Sequence, residues 1–259
     1  MPLDEEVYVK KRGKITRREK KEKVIKEKFM EEREGMILPI TAKNEHQKQY
    51  LDSLQKNALT VGMGSAGSGK SYLAASVAAN KYLKGEVNKI VVTRPIVQMG
   101  RSTGFWPGTV EEKILPYLQP ILNTIKKRIG TARYEAEFGK SIVIQPMESI
   151  RGMSFEQGTF LIAEEAQNMN VEEVRSVTTR LEEGAFIAFC GDCSQRDIPG
   201  VSGIQYLADI IENNNLRNCG VVRFTSDDIV RSGLTREFVK IYDAEGSASL
   251  VEKKYKGGI

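Results

Sequence analysis

The chain has 259 residues, of which 40% are hydrophobic and 28% are charged, with a formal net charge of +5 at pH 7. This is the composition of an ordinary soluble globular protein that can bury a substantial core, as one large domain or one domain with appendages. No run approaches the roughly eighteen apolar residues that a membrane span requires, and the N-terminus lacks an apolar signal core, so we expect no membrane partner and a cytoplasmic location.

The first forty residues differ in charge from the rest of the chain. Residues 10–28 contain eleven Lys or Arg and three Glu, a local net charge of +8. Thr16 and Glu19 make a candidate capping box, and the residues up to about Glu34 favour helix, but few of them are apolar. We predict that residues 1–40 form a basic helical or partly disordered arm. This arm is either a solvated segment or one that binds nucleic-acid phosphates or a neighbouring subunit.

A phosphate-binding loop follows the first predicted strand. Residues 44–54 have the pattern of a helix and residues 58–61 that of a strand, while residues 64–71 fit G-x-x-x-x-G-K-[ST] and residues 72–79 continue as a helix. Glycines let successive backbone N–H groups point at a β-phosphate. The predicted nucleotide-binding residues of the loop are Gly64, Ser65, Ala66, Gly67, Ser68, Gly69, Lys70 and Ser71. Lys70 would neutralise phosphate charge, and the Ser71 hydroxyl would bind a phosphate-bound Mg²⁺.

Strands and helices alternate after this loop. Predicted strands cover residues 89–93, 141–144, 159–163, 185–189 and 220–224. Predicted helices cover residues 110–129, 171–181 and 203–211, the first of them broken near Pro116 and Pro120. This alternation predicts an α/β fold, a three-layer P-loop NTPase (RecA-like) core over residues 41–245 with a mostly parallel sheet and helices on both faces. Residues 246–259 are predicted to be a frayed tail.

Two later strands end in residues that suit nucleotide hydrolysis. Glu164 and Glu165 follow the apolar run 160–163, so Glu164 would approach Mg²⁺ and Glu165 would orient or deprotonate the attacking water. The run ending at Cys190 continues as G-D-x-x-Q, which places Gln195 within reach of a γ-phosphate. The alternatives are an ordinary surface pair of acids for the first segment and a turn after a strand for the second. We predict Lys70, Glu165 and Gln195 as catalytic residues.

The three cysteines, an odd number, argue against a disulfide framework. Cys190 and Cys193 form C-x-x-C, which allows a zinc or redox site, but only Cys219 and the sole histidine, His46, could complete it. We favour a strand-end cysteine next to a loop cysteine.

Together, residues 64–71, 164–168 and 191–195 resemble the PhoH-like family of single-core ATPases, whose motor domain is similar to that of superfamily 1 helicases. Further segments resemble family motifs in the family order, namely residues 93–95, 104–108, 112–120, 150–152 and 228–231. The resemblance covers about residues 41–242.

The resemblance implies roles for individual residues. It implies that Gln47 reads adenine, that Glu165 is the catalytic glutamate and that Gln195 senses the γ-phosphate. Arg231 is the best candidate for an arginine finger, with Arg94 as the alternative. Glu164 departs from the family pattern, which has Asp at this position, so hydrolysis could be slower than in relatives with the shorter side chain.

The chain has a single core, which would form only one half of the nucleotide site. The resemblance implies a homo-oligomeric ring of six subunits, with ATP at each interface. In such a ring the loop of residues 97–108, with Arg101, Phe105 and Trp106, would contact a single strand in the channel. The alternative is that its aromatic residues plug the loop into the core.

The sequence therefore predicts a Mg²⁺-dependent ATP hydrolase that is coupled to single-stranded nucleic acid, RNA rather than DNA, with helicase activity as a further expectation. The alternative is an ATP-binding ring scaffold with slow turnover and no strand separation. A phosphoryl transferase is disfavoured because Glu165 and G-D-x-x-Q suit the orientation of water. The basic arm lacks the clustered aspartates of a two-metal nuclease, so we expect no strand cleavage.

Overall fold

A computed structural model of the protein describes residues 37–96, 108–150, 152–230 and 232–245. All of them lie in one compact unit, Gly35–Ile259. Most of the predicted basic arm, the tail 246–259 and the predicted finger Arg231 lie outside the described residues. The same is true of residues 97–107, which contain Arg101, Phe105 and Trp106.

The described residues form one parallel sheet with the strand order β3-β2-β4-β5-β1-β6. Its strands are β1 (Leu59–Gly64), β2 (Lys89–Thr93), β3 (Ile142–Ile144), β4 (Thr159–Ala163), β5 (Phe186–Gly191) and β6 (Cys219–Phe224). Parallel strands need crossover connections, and the helices supply them. The predicted α/β class and the parallel sheet are confirmed, and β5 lies between β1, which precedes the phosphate loop, and β4, which precedes Glu164 and Glu165.

The helices of the described residues are α1 (Glu45–Lys56), α2 (Lys70–Leu83), α3 (Val110–Ile129), α4 (Thr131–Glu137), α5 (Met147–Ile150), α6 (Val171–Thr178), α7 (Gly203–Asn214) and α8 (Gly233–Glu245). Short 3₁₀ turns follow three strands, at Ala166–Asn168, Cys193–Gln195 and Ser226–Asp228. Among the helices that the structure describes, none is long and apolar enough to cross a membrane. The periodicity did not predict α4, α5 or α8.

Two apolar cores lie on opposite faces of the sheet. In β4, Phe160 and Ile162 pack into the core with Leu73 of α2 and Leu118 of α3, whereas Leu161 belongs to the core on the other face. That second core also contains residues of α6 and α7. Successive side chains of a strand point to opposite faces, so a strand covered on both sides is apolar throughout. This explains the continuous apolar runs and gives the predicted three layers.

Helix α3 corrects one prediction, because it continues through Pro116 and Pro120 without a break. Each proline removes one backbone N–H donor, which usually ends or kinks a helix. The two prolines are four residues apart, so they lie on one face, and both are exposed. Carbonyl groups that lose a partner on that face can bond to water, while the buried face with Leu118, Leu122 and Ile125 stays regular.

Candidate nucleotide-binding site

A cavity of about 540 Å³ lies at the carboxyl ends of the strands. This is the edge at which open parallel sheets bind their ligands. Its walls contain residues from the phosphate loop, from the turns after β4 and β5, and from α2 and α3. The lining includes Ala66, Gly67, Gly69, Lys70, Ser71, Tyr72, Arg94, Tyr117, Glu164, Glu165, Gln167, Asp192 and Gln195.

The phosphate loop has the backbone conformation that anion binding requires. Gly67 and Gly69 have φ angles of 82° and 90°, in the left-handed region that favours glycine. Gly69 is the N-cap residue of α2 and makes no side-chain capping hydrogen bond. The positive end of the helix dipole is therefore directed at the cavity without a side-chain cap, as in phosphate-binding helix N-termini.

Lys70 is held by the loop itself. Its Nζ atom donates to Gly64 O at 2.6 Å, to Ser65 O at 3.0 Å and to Ser68 Oγ at 3.2 Å. The side chain is 8% exposed. Burial lowers the pKa of Lys70 from its ordinary value, and the negative charge of Asp192 is the largest effect that opposes this shift. The ammonium group is thus positioned inside the loop, where it can exchange carbonyl oxygens for phosphate oxygens.

Ser71 and Glu164 fit a magnesium ion. Both line the cavity, and Glu164 Oε1 is buried without a hydrogen-bond partner among the described residues. Burial of the carboxyl group raises the pKa of Glu164 to about 7, although a hydrogen bond with Ser71 opposes the shift. A buried carboxylate oxygen next to a hydroxyl is the kind of hard oxygen donor that Mg²⁺ binds, with the remaining positions left to phosphate and water.

Glu165 has an unusual backbone conformation. Its φ and ψ angles of 49° and 37° are left-handed, which is rare and costs on the order of 1–3 kcal/mol for a residue other than glycine. The carbonyl of Glu165 accepts from Asn168 N at 2.9 Å, and its side-chain Oε2 accepts from Gln167 Nε2 at 2.6 Å. The turn therefore directs Glu165 into the cavity next to Glu164.

Asp192 joins the end of β5 to the phosphate loop. Its Oδ2 atom accepts from Ala66 N at 3.0 Å, and its Oδ1 atom accepts from the backbone and hydroxyl of Ser194. Gln195 ends the 3₁₀ turn that begins there, lines the cavity and is exposed. The predicted γ-phosphate sensor thus lies on a turn that is fastened to the loop.

Gln47 lies behind the phosphate loop and is 3% exposed. Its Nε2 atom donates to Ser68 O at 2.7 Å, and its Oε1 atom accepts from Lys43 N at 2.8 Å. Nearby, Asp228 Oδ2 lies 2.8 Å from His46 Nδ1, and Val230 N donates to Gly67 O at 3.1 Å. Both ends of the Gln47 amide are therefore engaged, the nitrogen with the phosphate loop and the oxygen with the segment before α1, and its reading of adenine stays a prediction.

The outer rim of the cavity is aromatic. Tyr72 and Tyr117 are each 53% exposed, and the Arg94 guanidinium lies 4.5 Å from the centre of the Tyr117 ring. Such stacking is favourable for a cation on an aromatic face. Arg94, the alternative arginine finger, follows β2 and lines the cavity of its own chain. The predictions from sequence did not include Tyr72 or Tyr117.

The cysteines occupy the places predicted for them. Cys190 is a buried residue of β5, and its Sγ atom lies 3.3 Å from the Tyr50 hydroxyl. Burial raises the pKa of the Cys190 thiol well above its ordinary value. Cys193 lies in the 3₁₀ turn after the strand. A thiol of raised pKa is a poor metal ligand and nucleophile, which favours a packing role for Cys190.

The structure brings most of the predicted site residues together. Lys70, Ser71, Glu164, Glu165 and Gln195 line one cavity with three of the other loop residues. Gly64, Ser65 and Ser68 contact the Lys70 ammonium group from behind. The sequence analysis assigned no role to Gln167, although it is a polar residue two positions after the acidic pair in a strand-end turn, which is a detectable signal.

A family comparison agrees with this geometry. The family described as PhoH-like protein matches residues 39–243. This chain belongs to the PhoH-like family. Its membership and the phosphate-loop cavity support an ATPase-type function for a P-loop NTPase.

Curated members of the family are similar to the chain over the same region. Protein PhoH of Escherichia coli is 35% identical over 210 residues, which are 79% of this chain and 58% of that protein. A PhoH-like protein of Mycobacterium tuberculosis is 34% identical over 206 residues, 78% and 58% of the two chains. A PhoH-like protein of Bacillus subtilis is 32% identical over 209 residues, 80% and 65% of the two chains. The chain spans less than two thirds of the length of these relatives.

Among solved structures, the large terminase of a thermophilic bacteriophage aligns with 81% of this chain and 53% of its own, with 14% identity and a TM-score of 0.48.

Proposed function

We propose that this chain is a Mg²⁺-dependent ATP hydrolase of the PhoH-like family, coupled to single-stranded nucleic acid, RNA rather than DNA. One observation carries the hydrolase part of the proposal. Glu164, Glu165 and Gln195, from the ends of two neighbouring strands, line the same cavity as Lys70 and Ser71 of the phosphate loop. One cavity would then contain the residues that bind phosphate, bind the metal ion and activate water.

Each residue has a chemical task in hydrolysis. The N-terminus of α2 binds the β-phosphate, and Lys70 moves from the Gly64 and Ser65 carbonyls to the β- and γ-phosphate oxygens. Ser71 and Glu164 would hold Mg²⁺, which neutralises charge on the phosphates when bound. Glu165 accepts a proton from the attacking water, and Gln195 orients the γ-phosphate or that water.

A ring of identical subunits is part of the proposal. Catalysis of phosphoryl transfer needs positive charge on the side of the γ-phosphate that faces away from the loop, and an arginine from a second chain commonly supplies it. We propose Arg231 for this task, with Arg94 as the alternative, in a ring of six subunits. The basic N-terminal residues support contact between such a ring and nucleic-acid phosphates.

The test is a steady-state ATPase assay with the full chain. We expect phosphate release that requires Mg²⁺, falls about 10²- to 10⁴-fold in Glu165→Gln and rises when single-stranded RNA is added at low salt. Single-stranded DNA and double-stranded RNA of equal length are the controls for the choice of nucleic acid. Hydrolysis without any response to either single strand would remove the coupling from the proposal, and absence of Mg²⁺-dependent hydrolysis would remove the whole of it.

An ATP-binding ring scaffold is the second candidate, and the surface of α8 favours it. Leu234, Phe238, Ile241 and Tyr242 of this helix are 48–65% exposed and recur at helical spacing. An apolar helix face of this kind suits association of chains rather than catalysis. Sizing with and without ATP, run beside the ATPase assay, discriminates the two candidates, because a scaffold assembles on ATP binding but hydrolyses ATP slowly and without a response to single-stranded nucleic acid.

A further inference from the structure

Gln167 connects the two strand ends that form the catalytic side of the cavity. It is 1% exposed and lies in the 3₁₀ turn Ala166–Asn168 after β4. Its Nε2 atom donates to Glu165 Oε2 at 2.6 Å and lies 3.4 Å from Gln195 O. Its Oε1 atom accepts from Asp192 N at 3.0 Å. One buried amide thus contacts the candidate base, the candidate sensor turn and the residue that fastens the phosphate loop.

The orientation of this amide follows from its partners. A backbone N–H can only donate, so the oxygen of Gln167 must face Asp192 N. The nitrogen then faces the Glu165 carboxylate, which can only accept when it is ionised. The reversed amide would lose both hydrogen bonds, so the network determines which atom faces Glu165.

Close packing holds Gln167 in this place. The Ser202 hydroxyl donates to Gln167 O at 3.0 Å and fixes the backbone of the turn. A Cβ atom at Gly191 would lie 2.8 Å from Gln167 N and 2.9 Å from Gln167 Oε1, so a larger residue at this position of β5 would displace the turn. The glycine therefore allows the end of β5 to approach the amide.

We propose that Gln167 is a positioning residue for hydrolysis, one that fixes the Glu165 carboxylate relative to the phosphate loop. The connection runs from Ala66 N to Asp192, from Asp192 N to Gln167, and from Gln167 to Glu165. A base that is oriented by a third group is a recurring arrangement in enzymes. The inference rests on the proposed ATPase function and assigns a further residue to it.

The test compares kcat and KM for ATP in Gln167→Met, which has a similar size but makes neither hydrogen bond. We expect kcat to fall about 10- to 100-fold, the effect of misplacing a reacting group by about 1 Å. The KM for ATP should stay within about threefold, because among the described residues Gln167 makes no hydrogen bond to the phosphate loop and reaches the proposed sensor Gln195 only at its backbone carbonyl. If Gln167→Met does not fold, Gln167→Asn, which keeps the amide but shortens its reach, serves for the same comparison.

Asn168→Ala is the matched control in the same turn. Asn168 exchanges two hydrogen bonds with Asp197 and has no contact with the Glu165 side chain among its hydrogen bonds. Its substitution should lower thermal stability about as much as Gln167→Met does, yet leave kcat within about threefold of the wild type. Equal losses of kcat in the two variants would indicate that the turn is needed only for folding, and would overturn the inference.

A double-mutant cycle tests whether Gln167 acts through Glu165. In the Glu165→Gln background, Gln167→Met should lower the residual rate no further, since the group that it positions is already gone. Multiplicative losses, or a Gln167→Met rate at or above that of the wild type, would overturn the inference alone. A wild-type chain without Mg²⁺-dependent hydrolysis would overturn the proposed function and this inference with it.

Discussion

The inner and outer sides of the nucleotide cavity differ in how completely this chain builds them. On the inner side, Lys70, Gln167 and Asp192 are buried, and each makes two or more hydrogen bonds. On the outer side, Tyr72 and Tyr117 are more than half exposed. Preorganised polar groups are what phosphoryl transfer requires, and they are concentrated on the inner side.

The contrast separates what one chain does from what a second chain would do. The inner side has the residues that we propose to bind phosphate and metal and to activate water. Exposed aromatic rings at the rim leave a surface that another molecule can cover at little cost in desolvation. The proposed neighbouring subunit would complete the site at this rim, on the outer side. Substitutions on the two sides test this division.

The largest expected effect concerns the outer side. Arg231→Ala should lower kcat about 10³- to 10⁵-fold, the range for loss of an arginine finger, while ATP binding is retained. Lys70→Ala should be inactive as well, because its own phosphate loop is defective. Mixing the two inactive variants should restore activity, because about a quarter of the interfaces would combine an intact loop with an intact finger after random assembly.

Absence of recovery in the mixture would contradict a finger that acts between subunits. The same mixing experiment with Arg94→Ala in place of Arg231→Ala is the control for the choice of arginine. Arg94 lines the cavity of its own chain, so an Arg94→Ala defect that mixing does not correct would show that it acts within that chain.

The next effect concerns the base on the inner side. Glu165→Gln keeps the size of the side chain and its contact with Gln167 but cannot accept a proton. We expect kcat to fall about 10²- to 10⁴-fold, the usual contribution of general base catalysis, with the affinity for ATP unchanged. Rates are measured by phosphate release and affinities by titration with a fluorescent ATP analogue. An unchanged rate would remove Glu165 from the chemistry.

Spacing along the chain decided which site residues the sequence could predict. Residues whose role depends on spacing along the chain, such as Lys70 and Ser71 after the loop glycines or Glu164 after β4, were predicted and lie in the cavity. Prolines in α3 misled because their effect depends on which face of the helix is solvated. The part played by Gln167 depends on how closely the turn after β4 approaches the end of β5 at Gly191, a distance that spacing along the chain does not give.

A smaller effect concerns the back of the phosphate loop. Gln47→Ala would leave Ser68 O without its buried donor, which costs about 1–3 kcal/mol and should weaken nucleotide binding roughly tenfold or more. Binding of ATP and GTP is compared in the same titration. Equal weakening of both indicates that Gln47 only braces the loop, whereas a selective loss for ATP indicates that it reads adenine.

The smallest effect is a dependence of stability on pH that arises from Glu164. Its pKa is raised to about 7 in the folded protein, above the ordinary value of 4.5, so the folded state binds the proton more tightly than the unfolded state. The resulting stability is fully present below about pH 4.5 and is lost as pH rises through about 7. Without metal or nucleotide, the unfolding midpoint should therefore fall by a few degrees across this window, since ~1 kcal/mol corresponds to roughly 2–4 °C in a domain of this size.

Glu164→Gln isolates this contribution, because the amide cannot titrate. The difference in midpoint between wild type and variant should shrink when Mg²⁺ and ADP are added at pH 8, since a metal ligand is deprotonated and a bound cation offsets its buried charge. An identical pH dependence in wild type and Glu164→Gln would place the titration elsewhere.

Glu164→Asp should retain the wild-type rate of hydrolysis or exceed it. A large loss of rate in this variant would show that the site is adapted to the longer side chain.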